Sequence, residues 1–491
     1  MAANDLCWTP ATTLAGLIRR KKVSPVEVID AVLDRIDALN PALNAYVLVR
    51  VDEARREAKA AERALGRRSA RLGPLHGVPF SVKDLVATRG VTTTFGTPLY
   101  RDNVPTEDAP IVARLLAAGG IMLGKTNTPT LGWIGATHNL LFGITRNPWN
   151  RERTPGGSSG GASAAAAAGL GPLHVGTDGG GSIRIPASFA GIFGHKPSFG
   201  RIPIHPFSAA WSLSHVGPMT RTVADAALMM NVCAGPDERD QYSLPVDGVD
   251  YVKALRPSLK GLRVAYTDDL GFADAVDPEV RTVCARAARA FRELGCRLEE
   301  VEPGWPSPRD GWEQIFLGGI AARLEPHRHR RDAIEPGLLA YVEATLQNPP
   351  TRYIQAWFDR LAWWQHPRAF FEKYDLLLTP TIACPPFPVG LDNPAEIAGK
   401  KIPPYGWIPF TYPFNLTGQP AASVPAGFTR DGLPIGLQIV GRRFDDAGVL
   451  RAAAAFERVR PWAQHRPPIG ESPAARPVDA DPGMRHIHRE R

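Results

Sequence analysis

The chain has 491 residues, of which 44% are hydrophobic and 22% charged, the proportions of an ordinary globular protein. Its formal net charge is +8, but the basic residues are spread along the chain, which favours a solvated surface over a nucleic-acid site. No run of 18 apolar residues occurs and Met1 to Pro10 show no secretory signal, so we expect no membrane span. The five cysteines form no Cys-x-x-Cys pair, which predicts a reducing compartment, the cytoplasm, without disulfides or a zinc site.

Residues 1–70 are predicted to form a helical segment that packs on the rest of the protein. Apolar residues at helical spacing predict two helices between Thr12 and Leu39, the second beginning at the capping box Ser24-Pro25-Val26-Glu27. The pair Asn40-Pro41 is expected to end that helix, because proline lacks the N–H group that would continue it. A third helix, rich in alanine and arginine, is expected over Val51 to Leu65.

Residues 71–235 alternate short apolar strands with helices and glycine-rich loops. Val78 to Val82 is a predicted strand that ends at Lys83, and Ile121 to Leu123 is a second one. Helices are predicted over Ile111 to Ala118 and over the small residues Ala162 to Ala168. Such alternation is typical of an α/β fold.

The remaining chain divides by composition into three parts. Residues 236–367 are more charged and more aromatic and lack glycine-rich loops, so we expect a variable cap or insertion that faces the substrate. Residues 368–462 return to apolar strands and are expected to rejoin the core. The tail, residues 463–491, is rich in proline and arginine and is predicted to be disordered.

Two glycine-rich segments carry serines that suit acyl transfer. One is Pro155 to Gly161, with Ser158 near its centre; the other is Gly176 to Pro186, where Ser182 follows three glycines. Backbone N–H groups around such a serine can bind the anionic oxygen of a tetrahedral intermediate. The serine also needs a base, and a lysine acts as one only when burial lowers its pKa enough to leave it neutral. Lys83, at the end of an apolar strand, is the candidate.

Two other motif matches fail in their context. Gly156 to Gly160 fits the Gly-x-Ser-x-Gly pattern of α/β hydrolases, yet no apolar strand precedes it, as that turn requires. Gly119 to Thr126 fits a phosphate-binding loop, but it follows a helix and its middle is apolar, so Lys125 is expected to be structural. No metal is expected, because no partners at metal-ligand spacing accompany the histidines His138, His195 and His215.

Together, the lysine and the two serine segments resemble the amidase signature family of serine amidohydrolases, and the likeness runs from about Thr12 to about Glu457. Ser158 follows Lys83 by 75 positions and Ser182 follows Ser158 by 24, spacings similar to those of the family. The resemblance implies that Ser182 is the nucleophile, Lys83 the base, and Ser158, on a cis peptide, the relay between them. It also implies a single large α/β domain with a central mixed, twisted β-sheet covered by helices on both faces.

The resemblance assigns further roles around the segment Gly176 to Pro186, called the glycine loop below. The expected oxyanion-hole donors are the N–H groups of Gly179, Gly180, Gly181 and Ser182. The expected supporting residues, which fix the loop or contact the lysine, are Ser159, Thr177, Asp178 and Arg184. Two departures from the family pattern, Thr130 in place of an acidic residue and Ser214-His215 in place of an aspartate, leave substrate selection and local packing open.

The sequence therefore predicts a cofactor-free amidohydrolase that cleaves the C–N amide bond of a small substrate through an acyl-enzyme on Ser182. Ester and carbamate (urethane) bonds are further candidates. The expected partner is the small-molecule substrate, without nucleic acid, and a homodimer is left open. Bulky residues of the cap and of the later segment 405–410 favour a hydrophobic or aryl substrate: Trp312, Phe316, Trp363, Trp364, Tyr405, Trp407 and Phe410.

Two alternatives stay open at the level of sequence. One is the amidase (glutaminase) subunit of a tRNA-dependent amidotransferase, which resembles the same family; Ser214-His215 and the segment 236–367 count against it. The other is a catalytically inactive binding protein on the same scaffold. The complete set of Lys83, Ser158 and Ser182 counts against that alternative.

Overall fold

The computed structural model describes residues 2–67 and 71–469, so most of the tail predicted to be disordered lies outside the described residues. The helices are α1 Ala3–Trp8, α2 Ala11–Arg19, α3 Pro25–Leu43, α4 Val51–Leu65, α5 Pro110–Ala117, α6 Gly160–Ala167, α7 Arg184–Ala190, α8 Val223–Cys233, α9 Tyr251–Ala254, α10 Pro278–Glu293, α11 Arg309–Leu324, α12 Pro336–Leu346, α13 Pro350–Trp363, α14 Gln365–Lys373, α15 Pro413–Leu416 and α16 Asp446–Val459. The strands are β1 Tyr46–Val49, β2 Pro79–Lys83, β3 Ile121–Thr126, β4 His138–Asn139, β5 Gly143–Ile144, β6 Leu173–Asp178, β7 Phe193–Lys196, β8 His215–Thr220, β9 Arg263–Tyr266, β10 Arg297–Glu300, β11 Leu376–Pro380, β12 Glu396–Ile397, β13 Lys400–Lys401, β14 Ala421–Phe428 and β15 Pro434–Gly441.

One mixed sheet of eleven strands organises the described residues. Its order is β1-β3-β2-β6-β8-β7-β14-β15-β11-β9-β10. Strand β2 runs parallel to both of its neighbours, β3 and β6, whereas the strands from β6 to β11 pair antiparallel in succession. The expected single α/β domain, with a mixed sheet covered by helices, is confirmed.

Five strands of the sheet are buried along their whole length. Every residue of β2, β3, β8, β11 and β15 is buried. A strand covered on both faces needs apolar residues at successive positions, not at alternate ones, which explains the continuous run Leu376-Leu377-Leu378 of β11. The sheet therefore forms the middle layer of the core.

The N-terminal helices differ from the sequence expectation at one end. Helix α3 begins at the predicted capping box, where the N–H of Val26 bonds Ser24 Oγ at 2.9 Å and the N–H of Ser24 bonds Glu27 Oε2 at 2.8 Å. The prediction that Asn40-Pro41 ends this helix is wrong, because the helix continues to Leu43. Proline so near the C-terminus removes a single intrahelical hydrogen bond, and Asn44 then ends the helix in the left-handed conformation.

Segment 236–367 contributes to the sheet as well as to its cover. Strands β9 and β10 extend the sheet beyond β11 as parallel neighbours, while α11 packs against α12 and α13. The division of the chain at residues 236 and 367 stays a prediction. None of the helices in residues 2–67 and 71–469 combines the length and apolar character that crossing a membrane requires.

Candidate active site

Lys83 lies at the carboxyl end of β2 and is completely buried. Val82 is in register with Val175 of the parallel strand β6, so the side chains that follow these strands meet at one edge of the sheet. Burial lowers the pKa of Lys83 well below its usual range, partly opposed by the charge of Asp178. The lowered pKa favours the neutral amine, the form that can act as a base.

Three hydroxyl groups surround the amine of Lys83. Its Nζ lies 2.8 Å from Ser158 Oγ, 2.9 Å from Ser159 Oγ and 2.8 Å from Thr177 Oγ1. The Ser159 hydroxyl donates its hydrogen to Thr177 O at 3.1 Å, so towards the amine it accepts. A neutral amine has two hydrogens and one lone pair, and donation to Ser159 and Thr177 leaves the lone pair facing Ser158. This arrangement lets the amine take a proton from Ser158.

Ser182 lies in the turn between β6 and α7. The residue is 7% exposed. Within residues 2–67 and 71–469 its Oγ has no hydrogen-bond partner, and this oxygen is partly accessible to solvent. The N–H of Ser159 donates to Ser182 O at 3.2 Å, which joins this turn to the segment of Ser158. The Gly157–Ser158 peptide bond is cis. An accessible hydroxyl without a competing partner is suited to attack a carbonyl carbon.

Three successive carbonyl groups of the glycine loop accept hydrogen bonds from side chains outside it. Because a trans peptide points its N–H away from its C=O, the N–H groups that follow these carbonyls point to the opposite side of the loop. The acceptor and donor pairs are Asp178 O with Asn415 Nδ2 at 2.9 Å, Gly179 O with Trp312 Nε1 at 3.0 Å, and Gly180 O with Thr411 Oγ1 at 2.7 Å.

One of the four N–H groups assigned to the oxyanion hole is already engaged. The N–H of Gly181 donates to Asp178 Oδ1 at 2.7 Å, so it is not free to bind a substrate oxygen. A buried carboxylate three residues earlier is a strong acceptor and takes this donor first. In the described part of the chain, the N–H groups of Gly179, Gly180 and Ser182 have no protein acceptor. Three of the four expected donors therefore stay available.

Gly180 allows the indole of α11 to approach the loop. A Cβ at Gly180 would lie 2.4 Å from Trp312 Cζ2, a distance that no real Cβ contact tolerates. Trp312 in turn stacks on Phe316 and on Tyr412, with ring centroids 4.8 and 5.1 Å away. The glycine is required because the loop lies directly against an aromatic layer.

A buried ion pair lies at the base of the glycine loop. Arg184 Nη2 and Nε each donate at 2.9 Å to the two carboxylate oxygens of Asp178, and both side chains are fully buried. Arg184 also donates to Asn415 Oδ1 at 2.7 Å and to Gln438 Oε1 at 2.8 Å. Burial opposes ionisation of Asp178, but the Arg184 guanidinium outweighs it and holds the pKa of the carboxyl below its usual range.

The structure separates the aromatic residues that the sequence associates with the substrate. Trp312, Phe316 and Tyr405 pack together next to the glycine loop, and Trp407 stacks on Phe189. All of these rings are buried, and Trp312 and Phe316 contact the loop at Gly180 and Gly179. Trp363 contacts Trp305 away from the glycine loop.

An apolar cleft adjoins the lysine on the side of Thr177. Leu85, Leu131 and Val216 line it together with Ser214 and His215, and the loop of residues 203–209 forms one wall. Sequence reasoning missed this cleft, because its lining residues are scattered over the chain. The departure Ser214-His215 lies in its wall, where the fully buried His215 places Nδ1 2.9 Å from Leu213 O.

Thr130, the other departure from the family pattern, contacts a carboxyl group from a distant part of the chain. Thr130 donates to Glu335 Oε1 at 2.7 Å, and Glu335 is 7% exposed. A carboxyl group thus reaches Thr130 from the start of α12. Burial raises the pKa of this Glu335 carboxyl.

Among residues 2–67 and 71–469, no three histidine, cysteine or acidic side chains converge in a group that could hold a metal ion. His195 Nε2 lies 3.3 Å from Asp446 Oδ1 and His138 Nε2 lies 3.0 Å from Asp392 Oδ1, so each of these histidines has a carboxylate partner. The five cysteines are buried free thiols.

Known proteins resemble the chain over almost its full length. The family model described as Amidase matches residues 27–450. An acylamidase of Rhodococcus erythropolis is 42% identical over 95% of this chain and 98% of its own length. One subunit of the glutamyl-tRNA(Gln) amidotransferase of Moorella thermoacetica is 37% identical over 95% of this chain and 99% of its own. The crystal structure of a bacterial aryl acylamidase of the amidase signature family superposes with a TM-score of 0.88 at 37% identity, covering 93% of this chain and 97% of that one.

Proposed function

This chain belongs to the Amidase family and is an amide-hydrolysing enzyme, and we propose that it works through Ser182 as nucleophile, Ser158 as proton relay and Lys83 as base. The observation that carries this assignment is the buried lysine amine 2.8 Å from Ser158 Oγ, with hydroxyl groups as its hydrogen-bond partners. A lysine in that environment can cycle between neutral and protonated forms during one turnover.

The proposed reaction begins when Ser182 Oγ attacks the carbonyl carbon of the amide. The hydroxyl hydrogen of Ser182 passes to Ser158, and Ser158 gives its own hydrogen to Lys83 Nζ. When the tetrahedral intermediate collapses, the C–N bond breaks, and the proton returns from Lys83 through Ser158 to the departing nitrogen. Water then attacks the acyl-enzyme, by the same proton path, and releases the carboxylic acid.

Oxyanion stabilisation in this proposal comes from the backbone. The N–H groups of Gly179, Gly180 and Ser182 are the available donors, and Gly181 acts through Asp178 to hold the loop. Donors that are fixed before the reaction need no reorganisation when charge develops on the substrate oxygen. Trp312 and Thr411 fix them by anchoring the carbonyls on the other side of the loop.

The proposed substrate is a small amide with a hydrophobic or aryl group. The apolar walls of the cleft beside Thr177 support this choice. The names of the acylamidase and aryl acylamidase relatives point to the same class. Ester and carbamate cleavage, a homodimer and a cytoplasmic location remain further parts of the proposal, to be tested separately.

Amide hydrolysis is favoured over a role within an amidotransferase complex. The acylamidase relative is 42% identical, against 37% for the glutamyl-tRNA(Gln) amidotransferase relative. We expect the isolated chain to hydrolyse anilides and to show no increase in glutaminase activity when charged tRNA and the other proteins of such a complex are added. Such an increase would support the amidotransferase alternative.

The proposed nucleophile is tested with two serine variants. Ser182→Ala removes the attacking oxygen, so hydrolysis of an anilide is expected to fall by at least about 1,000-fold. Ser198→Ala is the matched control, because Ser198 is buried and its Oγ has no partner within the described residues. Activity of Ser182→Ala close to that of Ser198→Ala would refute the assignment.

A further inference from the structure

The cleft beside Thr177 contains one arginine and no acidic residue. Of the nineteen residues that line it, thirteen are apolar, none is Asp or Glu, and Arg323 is the one Lys or Arg side chain. His205, in the same wall, pairs at 2.9 Å with Glu107, which also binds Arg239 at 2.8 Å. Glu107 therefore already has hydrogen-bond partners of its own.

Arg323 is held in place without a carboxylate. Its guanidinium carbon lies 5.6 Å from the ring centroid of Phe95 and 5.9 Å from that of Tyr100. Within residues 2–67 and 71–469 it has no hydrogen bond or ion pair, although it is half-buried. Stacking on aromatic rings fixes a guanidinium while leaving its five N–H donors unused. Such donors match a carboxylate, which they can bind with two parallel hydrogen bonds.

The cleft that contains this arginine is also lined by neighbours of the proposed catalytic residues. Thr177, at one end, contacts Lys83, and Leu131 precedes Gly132, where an added Cβ would meet Ser158 Oγ at 2.9 Å. Helix α11 gives a rough scale: Phe316 lies against Gly179, and Arg323 follows two turns later on the same face, about 10 Å along the axis. One aromatic ring or a short alkyl chain, together with the reach of the arginine side chain, spans that distance.

We infer that the cleft binds amides whose apolar group ends in a carboxylate, and that Arg323 holds this carboxylate. The inference rests on the proposed function, since it names the substrate class of the same site. The apolar walls accept the ring or chain, and the guanidinium pairs with the charge at its far end. Arg323 is a specificity-determining residue in this account and takes no part in bond cleavage.

The test compares each carboxylated amide with its neutral methyl ester. One arm places the charge on the amine side, with 4-acetamidobenzoate against methyl 4-acetamidobenzoate. The other places it on the acyl side, with 4-carboxybenzanilide against its methyl ester. We expect kcat/KM for amide cleavage to favour the carboxylate by about 10- to 100-fold in one arm, the range for a hydrogen bond to a charged group. The arm that shows the preference identifies the side of the amide that enters the cleft.

Arginine variants test whether Arg323 causes the preference for the carboxylated amide. Arg323→Gln is expected to reduce the carboxylate-to-ester ratio to near one, and Arg323→Lys to retain part of it. Arg330→Gln removes the same charge from an exposed position and should keep the full ratio. The inference is overturned if wild type shows no preference in either arm, or if the ratio survives in Arg323→Gln. If the wild-type enzyme cleaves none of the four amides, the result counts instead against the proposed function.

Discussion

Two buried lysines on neighbouring strands have different surroundings. Lys83 ends β2 and Lys125 lies in the parallel strand β3, in register with Val82. Both are fully buried. Lys83 contacts three hydroxyl groups, whereas Lys125 donates to Val86 O at 2.6 Å and to Thr93 Oγ1 at 3.0 Å and lies 4.0 Å from Asp84 Oδ1.

The difference shows that partners, not burial alone, decide what a buried lysine can do. Burial lowers the pKa of Lys125 to about 8, an effect that Asp84 opposes. Burial lowers the pKa of Lys83 well below its usual range, with only the more distant Asp178 to oppose it. Lys125 therefore suits a structural ion pair, and Lys83 suits proton transfer.

The largest expected effect comes from replacing each lysine by methionine. Lys83→Met removes the proposed base and should lower kcat/KM for an anilide by about 1,000-fold or more, with the fold retained. Lys125→Met leaves the Asp84 carboxylate buried without its cation, so it should lower the free energy of unfolding by about 3–5 kcal/mol while the folded fraction stays active. Equal losses of activity in the two variants, measured per folded molecule, would remove the distinction between the lysines.

Arg184→Met tests the ion pair that holds the glycine loop beside Lys83. It strips the buried Asp178 carboxylate of its charge partner, so urea unfolding should show a loss of about 3–5 kcal/mol. The double variant Asp178→Asn/Arg184→Met should lose less than the sum of the two single variants, because the first change removes what the second leaves unpaired. Additive losses would mean that the two side chains act independently.

The pH dependence separates the two lysines by function. Because the base must be neutral, kcat/KM should rise with pH through the lowered pKa of Lys83 and level off before the ordinary lysine value of 10.5. For Lys125, the unfolded chain keeps its proton up to about 10.5 and the folded chain only up to about 8, so the free-energy cost of burying its charge falls, and the stability of the folded chain rises, as pH rises between these values. The acid limb of the kcat/KM profile should not shift in Lys125→Met. A shifted limb would mean that Lys125, and not Lys83, is the group that titrates in it.

The smallest expected effect concerns two threonines beside Lys83. Thr177→Val removes an acceptor 2.8 Å from Nζ and should lower kcat/KM about tenfold, equivalent to about 1.4 kcal/mol. Thr126→Val is the matched control, because Thr126 is aligned with Lys83 on β3 and its buried Oγ1 has no partner in the described part of the chain. Similar activities of the two variants would exclude a role for Thr177 in positioning the amine.

Much of this distinction could be predicted from the sequence. The resemblance of Lys83 and the two glycine-rich serine segments to the amidase signature family implies that these groups share one site, and the structure brings Lys83 and Ser158 within hydrogen-bond distance. The partner of Asp84 could not be predicted in the same way. The sequence allows its pairing with the adjacent Lys83, whereas strand pairing brings Lys125 to it.

Other features depend on contacts between distant segments. The engagement of the Gly181 N–H by Asp178 is a matter of loop geometry, which three glycines leave undetermined in the sequence. The roles of Trp312 and Thr411 follow from hydrogen bonds across 133 and 231 positions. Arg323 carries no local motif at all, and only the assembled cleft sets it apart from the other arginines.

The proposed reaction is tested most directly by labelling the enzyme with a fluorophosphonate, followed by peptide mapping by mass spectrometry. We predict one adduct per chain, on Ser182, with no adduct in Ser182→Ala and much slower labelling in Lys83→Met. An adduct on another serine, or full labelling without Lys83, would contradict the mechanism.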